Sequence, residues 1–506
     1  MKKLVSVFIL AGVLGLCACG GPTTPPIGPG NGSEDDLWET DLSGYDAYGQ
    51  ETRVQYGFAW KPAQKDGYVG DIMPYYENGV YSLFYLKDEG GSIRHSVYRV
   101  DTTDFIHYED KGLVLESRSV SQQDYWIGTG SVVKAGNDYY FFYTGFNNYK
   151  DVWEKVMVAK SVGNMDHFER VEGFEIAPPA QYSQRDFRDP QAYYNEKEQK
   201  FDMTVESNYG GKARIVKYSV SLDLKDVSYE GDMYVDEQYH FWNLECADIF
   251  RHGDKYYLTY SAQGNPMDTV WIAESDRMFS GYVNHRRIEG LHFYAAKTVV
   301  GDDGAYLIGW MYRRQDSQKI YCDDAALYWG GHIVVHKILF NEEGDPYLAP
   351  VSGYDGYYVY PSTVESEEIT FSENANSRTR IAVGRESYLL TGDFTFKGDQ
   401  RFGIVLGYDD AYQRYVSYNP AQGRLEFTLR SNLATEAKAP LNLEKNKKYS
   451  FAYIQEGSVG LFYVIGEGGF SFRVHGINNK VIGLFSEGNG VKFENLRYRL
   501  RVKQES

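Results

Sequence analysis

The feature that most constrains this chain is a fivefold recurrence of paired strands between about residue 60 and residue 352. Each copy has a strand start, a polar turn and a tyrosine-rich second strand, and the copies recur every roughly 50–60 residues. A repeat of this length, with strands enough for a small sheet, predicts a five-bladed β-propeller rather than a sandwich. The second strands are Val80–Leu86, Tyr139–Tyr143, Phe201–Val205, Lys255–Tyr260 and Ala305–Trp310.

Three of these repeats begin with a carboxylate. Asp71, Asp189 and Glu245 are separated by about two repeat periods and then by one, which places them on blades one, three and four. In a propeller the innermost strand of every blade lines the central channel. Equivalent positions on different blades therefore converge at one mouth of the channel, and we expect a cluster of three acids there.

The repeat stops after about residue 352, and short alternating strands separated by turns follow it. This pattern predicts a C-terminal antiparallel β-sandwich without a cluster of acids or histidines of its own. The sequence thus predicts an all-β protein with a propeller over residues 37–352 and a sandwich over residues 353–506.

The N-terminus resembles the signal of a bacterial lipoprotein. Lys2 and Lys3 precede a short apolar stretch, Leu4 to Leu16, and the stretch ends in a sequence similar to a lipobox before Cys19. We expect residues 1–18 to be a signal peptide, Cys19 to be lipidated, and residues 19–36 to form a flexible tether. The expected location is the bacterial cell envelope, with the lipid as the only membrane attachment.

Composition narrows the class of ligand. The formal net charge of −18 argues against nucleic acid, whose binding depends on basic side chains. Aromatic residues make up 16% of the chain, which favours strands and carbohydrate-stacking surfaces.

His332 and His336 lie four residues apart on a predicted strand, about 13 Å, so one metal ion cannot bridge them. No cofactor motif is present, Cys246 and Cys322 are expected to be lone thiols, and we expect a monomer.

The motifs around the acids resemble glycoside hydrolase family 32, the retaining β-fructosidases, and more broadly the clan of five-bladed furanosidases. Arg188-Asp189-Pro190 matches the family's Arg-Asp-Pro motif, and Glu245-Cys246 matches its Glu-Cys motif. The resemblance covers roughly residues 55–350 well and residues 360–500 weakly. Smaller matches are Thr129-Gly130-Ser131, His292-Phe293-Tyr294-Ala295 and Gly309-Trp310-Met311.

The resemblance implies a hydrolase of β-fructofuranosidic bonds in oligo- or polysaccharides, acting with retention and without a cofactor. Asp71 would be the nucleophile and Glu245 the acid/base, whose apolar neighbours in sequence favour its protonated form. Asp189 would stabilise the transition state through sugar hydroxyls, with Arg188 keeping it ionised. The remaining candidates for substrate contact are Trp126, Thr129, Cys246 and Tyr294.

The stretch around Asp71 departs from the family pattern. It reads Gly70-Asp71-Ile72-Met73-Pro74, whereas the family usually has Trp-Met-Asn-Asp-Pro-Asn-Gly. Gly128-Thr129 replaces the usual Phe-Ser pair, and His292 replaces an acid. Two alternatives therefore stay open: a glycan-binding lipoprotein without activity, and an arabinofuranosidase of the same clan. Relatives of the second kind often invert configuration, with carboxyls about 6.5–9.5 Å apart.

Overall fold

The computed structural model describes residues 57–63, 67–88, 94–264, 269–314, 327–384, 387–409, 413–429, 435–474, 477 and 481–501. Within these residues nearly every element is a β-strand, and five four-stranded blades precede two packed sheets. This arrangement confirms the predicted fold class. In the same part of the chain no helix has the length and apolar character needed to cross a membrane. Cys19 and Cys322 lie outside the described residues.

The propeller is built from twenty strands, numbered from the channel outward within each blade. The innermost strands β1, β5, β9, β13 and β17 contact their neighbours in a closed ring. Blade one contains β1 (Tyr68–Glu77), β2 (Val80–Asp88), β3 (Val97–Thr102) and β4 (Tyr108–Leu115). Blade two contains β5 (Trp126–Ala135), β6 (Asp138–Phe146), β7 (Glu154–Val162) and β8 (Glu169–Ile176). Blade three contains β9 (Phe187–Asn195), β10 (Lys200–Tyr209), β11 (Lys212–Ser221) and β12 (Val227–Val235). Blade four contains β13 (Asn243–His252), β14 (Lys255–Gln263), β15 (Val270–Ser275) and β16 (Val283–Arg287). Blade five contains β17 (Phe293–Gly301), β18 (Gly304–Arg314), β19 (Leu327–Phe340) and β20 (Pro346–Ala349).

The tyrosine-rich second strands are buried on both faces because each blade is covered by its two neighbours. Strand β6 has seven buried residues in a row between two half-buried ends. Continuous apolar runs of this kind are typical of strands in the interior of a layered structure, whereas strands with one wet face alternate. The same packing explains why the repeat was visible in the sequence.

The ring is closed between the last blade and the first. The long strand β19 pairs with β18 along its length and also with β1, through the residue pair Val69 and Gly331. Buried polar contacts fix neighbouring blades to each other. For example, Asp248 on β13 accepts hydrogen bonds from the backbone and hydroxyl of Thr298 on β17, at 2.8 and 2.6 Å. Blades four and five are therefore joined by buried hydrogen bonds as well as by packing.

The C-terminal part is a sandwich of two antiparallel sheets around an aromatic core. Phe394, Phe402, Phe451 and Phe493 are all buried between the sheets. A short helix α1 (Tyr354–Tyr357) precedes the sheets, and a 3-10 turn covers Pro420–Gln422. The first sheet contains β21 (Tyr360–Ser362), β22 (Ile369–Thr370), β24 (Ser387–Phe396), β29 (Lys448–Glu456), β30 (Val459–Val464), β31 (Gly468–Arg473) and β33 (Val491–Leu500). The second contains β23 (Asn376–Val383), β25 (Phe402–Leu406), β26 (Arg414–Asn419), β27 (Arg424–Leu429), β28 (Thr435–Pro440) and β32 (Val481–Glu487).

A buried polar contact joins the sandwich to blade five. Arg473, 4% exposed, donates to the backbone carbonyls of Tyr312 at 2.8 Å and of Met311 at 3.0 Å. The guanidinium is also 3.0 Å from Nδ1 of His332, so this histidine lies in the interface between the two parts. Because β18 also carries Trp310, the sandwich supports a strand that reaches the channel.

Candidate active site

A β-bulge interrupts the innermost strand of every blade at the same level of the channel. The pairing shifts at Asp71, at Thr129, at Asp189-Pro190, at Cys246-Ala247 and at Ala295-Ala296. Four of these bulges hold a residue at positive φ: Asp71 (23°), Asp189 (56°), Cys246 (57°) and Ala295 (49°). Such values are uncommon outside glycine and cost energy, and bulges re-aim side chains next to active sites. The five bulges thus form one ring at the mouth.

The bulges correct one sequence-based expectation. Asp71 and Asp189 occupy equivalent bulge positions, but the corresponding residue on blade four is Cys246. Glu245 precedes that bulge and pairs with Ser261, which is the register position that Arg188 holds on blade three. The three acids do converge on one cavity. Asp71 and Asp189 reach it from within their bulges, whereas Glu245 reaches it from the residue just before the bulge of blade four.

Asp71 is held by two donors from different blades. Thr129 Oγ1 donates to Oδ2 at 2.6 Å, and the indole Nε1 of Trp310 donates to Oδ1 at 3.0 Å. Burial raises the pKa of Asp71 and Glu245 adds to this effect, whereas both hydrogen bonds act to lower it. Each carboxylate oxygen has one fixed partner, so the orientation of the group is defined.

Asp189 is anchored through the backbone of the next blade. Its Oδ2 accepts a 2.7 Å hydrogen bond from the N–H of Cys246, and its own N–H donates to Thr144 Oγ1 at 2.9 Å. Burial raises the pKa of Asp189, while the nearby charges of Arg188 and Lys297 oppose that rise. Arg188 therefore favours the ionised form as expected, although burial is the larger influence.

The carboxyl group of Glu245 meets polar partners rather than its apolar neighbours in sequence. Tyr294 donates to Oε2 at 2.5 Å, and Arg188 Nη2 lies 2.9 Å from Oε1. Leu244 and Ala247 are instead buried in the hydrophobic core between blades three and four. Two donors on two blades thus fix the orientation of the Glu245 carboxyl group.

Arg188 is surrounded by carboxylates. Besides Glu245, its guanidinium lies 3.2 Å from Glu154, 3.2 Å from Glu206 and 3.4 Å from Asp186. Burial raises the pKa of Glu154 to about 7 and that of Glu206 well above its usual range. One cation thus faces four carboxyl groups, and burial favours the protonated forms of Glu154 and Glu206.

These groups line a cavity of about 540 Å³ at the channel mouth. Of the residues expected from the sequence, Asp71, Thr129, Arg188, Asp189, Glu245, Cys246 and Tyr294 all line it. Trp126 does not; it is half-buried at the head of β5, and its ring packs at a tilt against Phe146. Sequence reasoning missed Gln263, Leu291, Tyr312 and Trp329, which also line the cavity.

Two tryptophans contact the stretch around Asp71, although sequence reasoning assigned neither of them to it. Trp310, from the Gly309-Trp310-Met311 match, is fully buried and bonds Asp71. Trp329 packs so closely on Gly70 that a Cβ there would lie 2.1 Å from its ring. Glycine before Asp71 is thus required by the approach of Trp329.

The buried thiol of Cys246 has a raised pKa because of its burial, and its backbone rather than its sulfur serves Asp189. His336 lies 2.8 Å from the buried Glu289 and bonds Tyr463, so it belongs to the interface with the sandwich. Among the described residues no group of histidine, cysteine or acidic side chains has the arrangement of a metal site.

The family model for the glycosyl hydrolases family 32 N-terminal domain matches residues 65–348, which is more than half of the chain. The chain belongs to glycosyl hydrolase family 32. It is therefore a glycosyl hydrolase, and the match spans all five blades of the family 32 propeller.

Known members of family 32 are distant in sequence but similar in fold. A levanbiose-producing levanase of Bacillus subtilis is 21% identical over 470 residues, covering 84% of this chain and 86% of the levanase. A Bombyx mori family 32 β-fructofuranosidase superposes with a TM-score of 0.70 at 18% identity, over 93% of this chain and 98% of that one. A fructan 1-exohydrolase of Cichorium intybus gives 0.71 at 14% identity, over 90% and 98%.

Proposed function

We propose that this protein hydrolyses β-fructofuranosidic bonds of fructans or sucrose-type substrates by double displacement with retention. The observation that carries the proposal is the meeting of Asp71, Asp189 and Glu245 in one cavity, with each carboxyl group held by donors from a neighbouring blade. The levanase and β-fructofuranosidase relatives support the choice of fructosides.

Asp71 has the surroundings that a nucleophile needs. Thr129 and Trp310 favour its ionised form and fix its orientation, so the carboxylate is already oriented for attack when the substrate binds. Attack on the anomeric carbon forms a covalent fructosyl-enzyme ester while the glycosidic bond breaks. Water then hydrolyses this ester at the same carbon, which restores the original configuration.

Glu245 is placed to act as acid and then as base. In the first step its proton passes to the leaving oxygen, and the resulting carboxylate is stabilised by Arg188 and Tyr294. In the second step the same carboxylate takes a proton from the attacking water. Because Arg188 lies beside Glu245, the charge that develops on the acid is met by a group already in position.

Asp189 is suited to grip sugar hydroxyls. One oxygen accepts from the Cys246 N–H, and Asp189 lines the same cavity as Asp71. Hydrogen bonds from substrate hydroxyls to this anion strengthen as positive charge develops on the sugar ring. This interaction is stronger in the transition state than in the ground state, so it accelerates the reaction.

The test is sugar release from sucrose, inulin and levan by the purified chain, compared with Asp71→Asn and Glu245→Gln. We expect fructose or fructo-oligosaccharides from the wild type and a loss on the order of 10³-fold or more in both variants. Tyr360→Ala, a half-exposed site on the sandwich, serves as the control and keeps full activity.

Other outcomes contradict the proposal in distinct ways. Binding of a fructan without any release would favour a glycan-binding protein, and release from arabinan alone would favour an arabinofuranosidase. NMR of the first product decides the stereochemistry, because retention releases the β-anomer before mutarotation. Release of the α-anomer would contradict double displacement.

The proposed location is the bacterial envelope, with lipidated Cys19 as the anchor. Support comes from Lys2, Lys3 and the short apolar stretch that precede the cysteine. Cys19→Ala is expected to release the protein from the membrane fraction and to abolish labelling by a fatty-acid analogue. Unchanged fractionation and labelling would contradict this proposal.

A further inference from the structure

Five aromatic rings lie in contact along the entrance of blade two, outside the cavity. We call this set the rim ridge: Tyr149, Tyr125, Trp126, Phe146 and Trp153. Successive ring centroids are 6.0, 6.2, 4.8 and 6.1 Å apart. The guanidinium of Arg185 stacks on Trp153 at 4.3 Å, so an exposed cation ends the ridge.

The rim ridge leads to the acid/base side of the cavity. The N–H of Trp153 donates to the carbonyl of Gln184 at 2.9 Å, next to Arg185. Asp186 follows, and its carboxylate accepts a 3.3 Å bond from the indole of Trp242 and lies 3.4 Å from Arg188. Arg188 pairs with Glu245, so a continuous series of contacts connects Tyr149 to Glu245, the proposed acid/base.

Two buried amides hold the loops of the rim ridge in place. Gln123, 4% exposed, donates to the carbonyls of Gly145 and Trp153 at 3.1 and 3.0 Å. Asn147, fully buried, donates to the carbonyls of Val120 and Gln122 and accepts from the N–H of Tyr149. These bonds fix loop against loop, so the ridge is preorganised before any ligand arrives.

The Tyr149 end of the ridge is open to solvent, and Trp242, which bonds Asp186, is exposed as well. Tyr149 is 74% exposed and Trp242 is 52% exposed, the two highest values among the described tyrosine, tryptophan and phenylalanine residues. Exposed aromatic rings leave apolar surface in water, and covering that surface with a ligand is favourable. A group of such rings beside the cavity therefore indicates a binding surface. Flat rings next to guanidinium groups suit sugars, whose C–H faces stack and whose hydroxyls accept hydrogen bonds.

We propose that the rim ridge, with Arg185 and Trp242, binds the leaving-group portion of an oligo- or polysaccharide fructan. This inference rests on the proposed function. The leaving group departs on the side of Glu245, because the acid must reach the leaving oxygen. Trp126 lies three residues before Thr129 on β5, which places it about 10 Å along the strand from the cavity. A disaccharide bound in the cavity therefore ends before the ridge, whereas a longer fructan continues onto it.

The test compares polymer with sucrose in Tyr149→Ala, Arg185→Ala and the double variant. We expect the ratio of kcat/KM for the preferred polymer to that for sucrose to fall by about tenfold in the double variant, chiefly through KM of the polymer. Tyr360→Ala is the matched control because Tyr360 is 51% exposed on the sandwich, and it leaves both values unchanged. An unchanged ratio would overturn the inference, as would an equal loss on both substrates.

A binding measurement separates this inference from the proposed function. Asp71→Asn should be retarded in gels that contain inulin or levan, and Asp71→Asn combined with Tyr149→Ala and Arg185→Ala should migrate freely. Equal retardation of both proteins would overturn the inference even where the wild type hydrolyses sucrose. Absence of release from every fructoside would instead contradict the proposed function itself.

Discussion

The backbone N–H of Cys246 donates a 2.7 Å hydrogen bond to Oδ2 of Asp189. Both residues stand at the bulges of neighbouring blades, with φ of 57° and 56°. The bond therefore fixes the acid of blade three against the strand that carries Glu245. The relative placement of Asp189 and Glu245 therefore depends on the backbone geometry of the two bulges.

Asp189→Asn should lower kcat/KM on the preferred fructoside by roughly 10²–10³-fold. Asparagine fits the positive φ and one oxygen can still accept from Cys246, so the fold is kept. The lost anion can no longer grip sugar hydroxyls in the transition state. Steady-state kinetics measure the loss of kcat/KM, and a thermal melt checks that the variant is folded. A variant with wild-type kcat/KM would contradict the role of Asp189 in transition-state stabilisation.

Thr129→Val should move the acid limb of the kcat/KM profile to higher pH. The hydroxyl of Thr129 donates to Asp71 and lowers its pKa against the effect of burial. Without this bond the pKa of Asp71 rises further, so the nucleophile ionises only at higher pH. Thr428→Val, a buried threonine of the sandwich, is the control. An unshifted limb in Thr129→Val would show that Asp71 does not govern it.

Glu206→Gln should stabilise the protein at neutral pH by a few degrees. Glu206 is fully buried, and among the described residues neither of its carboxylate oxygens has a hydrogen-bond partner, although Oε1 lies 3.2 Å from Nη2 of Arg188. Burial raises its pKa in the folded state, so stability falls as pH rises above the unfolded value of 4.5. Glutamine removes that dependence. Thermal melts from pH 5 to 8 should diverge with increasing pH, and parallel curves would contradict the raised pKa.

Arg473→Met should destabilise the protein by about 2–4 kcal/mol and lower kcat. The variant leaves the carbonyls of Met311 and Tyr312 without their buried donor and loosens β18, which positions Trp310 against Asp71. Lys445→Met removes an exposed ion pair with Asp399 and serves as the control with little effect. Denaturant unfolding and kinetics measure both, and equal behaviour of the two variants would contradict a role for the interface.

Several elements were predictable because their signal is local in sequence. The tyrosine-rich strands such as β6 recur at a regular spacing, so the blade number followed from counting repeats. Arg188-Asp189 and Glu245-Cys246 identified the family because these short motifs combine with that spacing. The sandwich was visible through alternation, although its strand order, with β33 between β21 and β24, was not.

Other features were not predictable because they depend on register. A bulge shifts the pairing by a residue, and no local pattern marks which strand contains one. Glu245 was therefore expected at the position that Cys246 occupies. Trp126 was expected to contact the substrate; it lies on the rim ridge outside the cavity, because it precedes the bulge at Thr129 by three residues.

The sequence by itself determined the blade count, the sandwich, the family and which three acids meet in the cavity, since periodicity and short motifs record them. Only the tertiary structure decided what each acid touches. Glu154, Glu206 and Glu245 lie on three different strands, yet all contact Arg188. The physical reason is that strand pairing within blade three and the packing of blades two and four against it bring residues far apart in sequence close to Arg188, and the electrostatics of the site arise from those contacts.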